Sequence, residues 1–150
     1  MKKILIATDG SPSAQEAVEV GLEMAADQGA DVVFLHVLLP EEFILGRGAP
    51  AHAVPHEVAL DESETALQAA AAAADEAGVS YELERISGDT IPEILAVADA
   101  KDVDVIVVGS RGRNPLVSAL FGSVSRGVLS ESKRSVLVVR ATPDRVPATA

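Results

Sequence analysis

At 150 residues the chain has the length of one ordinary domain, enough to bury roughly two thirds of its unfolded surface. The hydrophobic 48% is mainly aliphatic, with three Phe, one Tyr and no Trp, so stacking platforms for single-stranded nucleic acid are scarce; the absence of Cys excludes disulfides, thiolate metal sites and cysteine nucleophiles. A formal net charge of −11 argues against nucleic-acid backbones and anionic membranes as partners.

The charge is unevenly distributed. Residues 105–150 hold seven basic side chains against two acidic ones, leaving five bases against twenty-one acids before them. At the amino end, Met1-Lys2-Lys3 leads directly into Ile4-Leu5-Ile6-Ala7, an apolar run too short for a signal peptide or a membrane span. A cytoplasmic protein is the expectation.

Strand patterns, β-branched or aliphatic over their centres, occur at 3–8, 31–38, 80–86, 103–108 and 135–140. The first helix is expected from Ser11 to about Gln28, with Pro12 in the first helical position, Ser13 and Glu16 as a second capping arrangement, and a stop at Gly29. A second helix is expected over about 60–77, its Ala69–Ala74 run suiting close packing on a sheet. A third, over about 91–100, starts from a Thr90/Glu93 capping box with Pro92 in its first turn. A fourth follows Gly122.

Strands alternating with helices predict an α/β fold in a single domain, 1–150: a doubly wound, Rossmann-like, five-stranded parallel sheet of order 3-2-1-4-5 with helices on both faces. Residues 40–58, with Gly46, Gly48, Pro50 and Pro55, read as a long mobile loop and possible flap, and residues 141–150 as a tail.

The chemistry concentrates in Gly109, Gly112, Gly122 and Ser123, spaced Gly-x2-Gly-x9-Gly-Ser after a buried strand and before a helix. Glycines let backbone N–H groups approach an anion, the helix start adds its positive dipole end and Ser123 a hydroxyl, which together make a phosphate cradle. Arg111 and Arg113 lie in the same loop. Asp9 closes the first strand; with strand 1 beside strand 4, the crevice rule sets it opposite Gly109 and Gly112, where a carboxylate accepts ribose hydroxyls or holds hydrated Mg²⁺.

These residues resemble the universal stress protein family, in its ATP-binding branch. The resemblance rests on Ile4-Leu5-Ile6-Ala7-Thr8-Asp9-Gly10-Ser11, Phe34-Leu35-His36-Val37, Gly109-Ser110-Arg111-Gly112, Gly122-Ser123-Val124-Ser125 and the ending Ser135–Arg140. It implies that Asp9 meets the ribose, with Ala7 and Thr8 beneath the nucleotide. Backbone near Val37 and Leu38 would meet adenine. Gly109 and Gly112 would line the ribose and first phosphates, and Gly122, Ser123 and Val124 the outer ones. Arg111 fits either a phosphate contact or a solvated loop position.

Competing motifs fail on particular residues. There is no Gly-x4-Gly-Lys-Ser/Thr, and Pro50 and Pro55 interrupt the helix that Gly46-x-Gly48-x-x-Ala51 would need. Asp9-Gly10-Ser11 has Ala7 where a haloacid-dehalogenase nucleophile would stand. His52 and His56 lack a third zinc ligand, and His36 reads as a core residue. No Ser/His/Asp arrangement supports a hydrolase.

The expectation is therefore an ATP-binding regulatory module of the stress response, with Mg²⁺ or another divalent ion, an unidentified regulatory protein partner and little or no turnover. A slow ATPase or phosphotransferase is the alternative. The resemblance also implies a homodimer through the apolar fifth strand, Val136–Val139.

Overall fold

The computed structural model describes residues 1–40, 56–111 and 122–140. Along the chain the elements are β1 (Lys3–Ala7), α1 (Pro12–Gln28), β2 (Asp31–Leu38), α2 (His56–Ala77), β3 (Tyr81–Ser87), α3 (Thr90–Ala100), β4 (Val105–Gly109), α4 (Ser123–Glu131) and β5 (Ser135–Val139). All five strands form one parallel sheet of order β3-β2-β1-β4-β5. The expected strand order and the helices on both faces are therefore present. The expected flap and tail fall outside the described residues, apart from the ends of the 40–58 range.

Strand alternation divides the core in two. Ile4, Ile6, Val32, Phe34, Val105 and Val107 face α1 and α2, whereas Leu5, Val33, Leu35, Ile106 and Val108 face α3 and α4. β1 is the centre of both layers: Ile4, Leu5 and Ile6 are wholly buried. A fully buried aliphatic side chain contributes about 1.5–3 kcal/mol relative to its exposed state, so this strand alone supports much of the sheet. The helix above it approaches closely because Gly21 has no side chain; a Cβ there would come within 2.4 Å of Ile6 Cδ1.

Two helix starts differ from expectation. Ser11 caps α1, its Oγ accepting the Ala14 N–H at 3.2 Å, while Ser13 and Glu16 are buried in the helix body and form no second cap. At α3 the N-cap is Asp89, in extended conformation, with the Glu93 N–H donating to the Asp89 carbonyl at 3.1 Å; the cap makes no side-chain hydrogen bond, so the expected Thr90/Glu93 capping box does not form, and Thr90 is the first helical residue. Glu93 instead folds over Gly88, where a Cβ would lie 2.6 Å from its Cγ. α2 begins four residues before the apolar periodicity does.

The two sheet edges are chemically unlike. Along β3, Glu82 and Glu84 both bind Lys101, at 2.9 and 3.0 Å, and Arg85 pairs with Glu64 at 3.6 Å. Charge on an edge strand discourages pairing with another sheet. The β5 edge carries Val136, Leu137 and Val138, all half-buried.

At the opposite end from the glycine motif, the chain is tied down by polar contacts. Arg134 donates to Asp99, Asp102 and the Val103 carbonyl, joining the α4–β5 turn to the α3–β4 turn. Asp104 Oδ2 accepts the N–H groups of Lys2, at 2.6 Å, and Lys3, at 3.0 Å, which hold its carboxyl below the ordinary carboxylate value. A depressed folded pKa means that this stabilisation is present above the unfolded value of about 4 and is lost as pH falls through the folded one. We expect the melting-temperature advantage of wild type over Asp104→Asn to be constant from pH 7 down to about 4 and to shrink below that. A difference that grows on acidification would contradict this role.

Candidate functional site

The turn after β1 is built from short side chains that bond their own backbone. Thr8 Oγ1 accepts the Gly10 N–H at 3.3 Å, and Asp9 Oδ1 accepts the Ser11 N–H at 2.9 Å. Gly10 takes φ of 79°, the left-handed region that an L side chain adopts at a cost. The result is a tight corner that starts α1 two residues later and holds the Asp9 carboxylate at the carboxyl edge of the sheet. Thr8 is buried beneath it.

β4 ends alongside. The β1–β4 register pairs Ile6 with Val107, so extending it by two residues sets Thr8 level with Gly109 on the neighbouring strand. Gly109 has a packing role: a Cβ there would lie 2.7 Å from both the carbonyl oxygen and Oγ of Ser13, in the first turn of α1. Its backbone also belongs to the β4–β5 ladder, opposite Val139. The absent side chain of Gly109 thus makes room for α1.

The chain then leaves and returns within one closed stem. The Ser110 N–H donates to the Val139 carbonyl at 2.8 Å, and the Ser110 carbonyl accepts the Gly122 N–H at 2.6 Å. Ser125 Oγ donates to the Gly122 carbonyl at 3.0 Å and reaches the Ser110 carbonyl at 3.4 Å. Arg111 enters the loop with its N–H on Ser13 Oγ at 3.2 Å. Gly112 and Arg113 lie outside the described residues.

Gly122 is the N-cap of α4. The first helical bond beyond it is from the Arg126 N–H to the Gly122 carbonyl, at 3.1 Å. The preceding N–H groups of Ser123, Val124 and Ser125 therefore have no carbonyl four residues back within the helix, and they carry the positive end of its dipole. Ser123 is exposed there, as are Arg126 and, across the stem, Arg111. This end of α4 is suited to an anion.

Strand alternation distinguishes Val37 from Leu38. The Thr8 N–H donates to the Leu35 carbonyl, so the polar groups of Leu35 and, two residues on, Val37 face the β1 side; β1 has ended by then. Those of Leu38 face β3, and its carbonyl accepts the Gly88 N–H at 2.9 Å. A ligand edge contacting backbone here would meet Val37. Ala7, Val37, Ile86, Ile91 and Val124 are all half-buried members of the core layer under α3 and α4, so an apolar surface adjoins these groups.

A separate cleft of about 800 Å³ lies between α1 and α2, on the other face. It shares Thr8, Gly10 and Ser11 with the β1–α1 turn, and its walls are Ala66, Ala69, Ala70 and Ala73 of α2 with Val18 of α1. Nearby, His36 is buried as expected, and its Nδ1 lies 2.5 Å from Ser63 Oγ. Among the described residues no three His, Asp or Glu side chains gather as a metal cluster.

The structure thus brings Ala7, Thr8, Asp9 and Val37 to the same sheet edge as Gly109, Arg111, Gly122, Ser123 and Val124, with Leu38 turned toward β3. Sequence reasoning missed Ser13, Ser110 and Ser125, whose bonds hold these segments together. Ser110 and Ser125 stand inside the quoted motifs and were open to recognition. Ser13 resembled a cap.

The sequence model of the universal stress protein family matches residues 1–140. The chain is 34% identical to universal stress protein YxiE of Bacillus subtilis, covering 92% of this chain and 98% of that one. It is 33% identical to universal stress protein MJ0531 of Methanocaldococcus jannaschii, covering 93% and 82%. A solved universal stress protein in complex with cAMP superposes with a TM-score of 0.73 at 25% identity, over 94% of this chain and 98% of that one. A family match over almost the full length, on a sheet of this order, means that the chain belongs to the universal stress protein family.

Proposed function

We propose that the protein binds an adenine nucleotide, ATP foremost, in the crevice between the ends of β1 and β4 and acts as a nucleotide-dependent regulatory module of the stress response. The observation that carries this reading is the convergence of an acidic turn, Thr8-Asp9-Gly10, with the open amino end of α4 on adjacent strands. The complex of a relative with cAMP supports the nucleotide class.

Each part has a chemical match. The Asp9 carboxylate accepts ribose hydroxyls, as acidic groups do at the equivalent edge of dinucleotide-binding sheets. The Val37 backbone offers a donor and an acceptor to the base edge, above the apolar surface of Ala7 and Ile91. The phosphates lie against the N–H groups of Ser123, Val124 and Ser125, with Arg111 across the stem; Gly112, expected to line the first phosphates, lies outside the described residues.

A divalent ion fits this donor set as a partner of the phosphates. One carboxylate, Asp9, is within the site, and Mg²⁺ is commonly held by one or two carboxylates plus phosphate oxygens and water. Such an ion would supply charge neutralisation. Binding groups that hold ground and transition states alike give affinity without rate, so turnover is slow or absent. We place the protein in the cytoplasm; among the described residues no helix is long and apolar enough to cross a membrane.

We also infer a homodimer through β5. The Ser110 N–H binds the Val139 carbonyl, so Ser135, Leu137 and Val139 direct their polar groups at β4, while those of Val136 and Val138 point outward. An apolar strand with outward donors and acceptors, opposite a β3 edge defended by charge, favours pairing with a second copy. We further infer a regulatory protein partner that reads the nucleotide state, which capture with and without ATP tests.

Titration of nucleotide-free, metal-depleted protein by calorimetry should give saturable binding of ATP, and Asp9→Ala should weaken it by about ten- to a hundredfold, the range for a hydrogen bond to a charged group. No heat at about 1 mM ATP, an interaction weaker than about −4 kcal/mol, would reject the reading. Multiple turnovers that collapse in Asp9→Ala would make the protein an ATPase instead.

Light scattering at micromolar concentration should give twice the 15.5 kDa chain mass. Val138→Pro, which removes an N–H that points away from β4 and trims a half-buried side chain, should give a folded monomer of somewhat lower melting temperature. A monomeric wild type would refute the dimer.

A further inference from the structure

The cleft between α1 and α2 lies on the opposite face from α4, and it is built as small-molecule pockets are. α2 turns Ala66, Ala69, Ala70 and Ala73 toward α1, positions at i, i+3, i+4 and i+7 that share one face of a helix. Each of these side chains ends at Cβ, so the wall stays low and about 800 Å³ is left between the helices, within the range of sites that enclose a drug-sized molecule. Val18, Ala66 and Ala70 are buried and make an apolar floor.

The polar groups are few and of one kind at each end. Glu19 on α1 and Asp61 on α2 are exposed at the mouth on opposite walls, with Glu62 beside Asp61, and among the described residues no Lys, Arg or His lines the cleft. At the β1–α1 turn the lining is Thr8 and Ser11, both buried. Their hydroxyls accept the N–H groups of Gly10 and Ala14, and among the described residues neither gives its own proton to an acceptor.

We propose that this cleft is a second ligand site, for a small amphipathic cation: an organic ammonium whose apolar body lies on the alanine wall and Val18 and whose charged head stands between Glu19 and Asp61. The inference does not depend on the nucleotide reading. Phosphate is the wrong chemistry here, because it would face three carboxylates with no basic side chain among the described residues. A strongly hydrated cation without an apolar body would leave the alanine wall wet, and a neutral apolar compound would gain the burial without the charge. The amphipathic cation alone uses both halves of the lining, and the Thr8 and Ser11 protons are donors for an acceptor atom at its far end. Two exposed carboxylates give a preference of about tenfold for the cation over a neutral molecule of the same shape.

The test uses the full chain, free of nucleotide, with isotope-labelled alanine methyls read by NMR. Three probes share one apolar body and differ in charge: phenylbutylammonium, phenylbutanol and phenylbutyrate. The ammonium should give saturable shifts on the methyls of Ala66, Ala69, Ala70 and Ala73, about tenfold tighter than the alcohol, with the carboxylate weakest. The double variant Glu19→Gln/Asp61→Asn should bind ammonium and alcohol equally, because it keeps the apolar wall and removes the charge. Ala69→Leu, a substitution at an exposed position that keeps helix propensity, should fill the cleft and abolish the shifts from all three probes. No saturable shift at millimolar ammonium, equal affinity for the three probes in wild type, or an ammonium preference that survives the double variant would each overturn the proposal. Undiminished ammonium affinity in Ala69→Leu would overturn it as well, by putting the probe elsewhere.

Discussion

Pairing of β1 with β4 at the centre of the sheet is the constraint from which the rest of the molecule follows. The chain leaves β1 toward the face carrying α1 and leaves β4 to return as α4 on the opposite face. Two neighbouring strands whose continuations diverge cannot fill the space beyond their own ends, and a crevice results. Ile4, Leu5 and Ile6, wholly buried between both layers, keep β1 in that position. Gly21 and Gly109 let α1 lie close enough that its first turn touches the end of β4 as well as β1.

The overall charge makes this local arrangement decisive. A protein of net charge −11 repels a polyphosphate at long range, although salt screens that repulsion beyond about 8 Å at physiological ionic strength. Attraction must then come from groups in direct contact. The amino end of α4, with Arg111 and Arg126 exposed near it, is where the described residues offer such groups. The acid-rich remainder of the chain carries α1, α2 and the β3 edge, where Lys101 is shared between Glu82 and Glu84.

Periodicity was enough to read the alternation of strands and helices, because it is written in short-range pattern; the sheet order came from the common doubly wound arrangement, and Ala7, Thr8, Val37 and Val124 at the carboxyl edge from the family resemblance. Interactions between residues far apart in the chain were not legible. Ser13 next to Pro12 resembled a second cap, but its partner is Arg111. Gly109 read as a residue that admits phosphate, and its nearest neighbours are atoms of Ser13. His36 was recognisable as a core residue, while its contact with Ser63 depends on how α2 docks. The shift of the α3 cap from Thr90 to Asp89 has a local cause: Asp89 is extended, and its carbonyl already accepts the first helical N–H. Leu38 and Val37 could be separated only once the β2–β3 register was known.

The most direct test is an amide NMR titration of nucleotide-free protein with Mg²⁺-ATP. The account predicts that the largest shifts fall together on Asp9, Gly10, Val37, Arg111 and residues 122–125, saturating with one affinity, while the α1–α2 cleft residues Ala69 and Ala73 stay in place. Shifts confined to that cleft, or none at the α4 amino end, would contradict it.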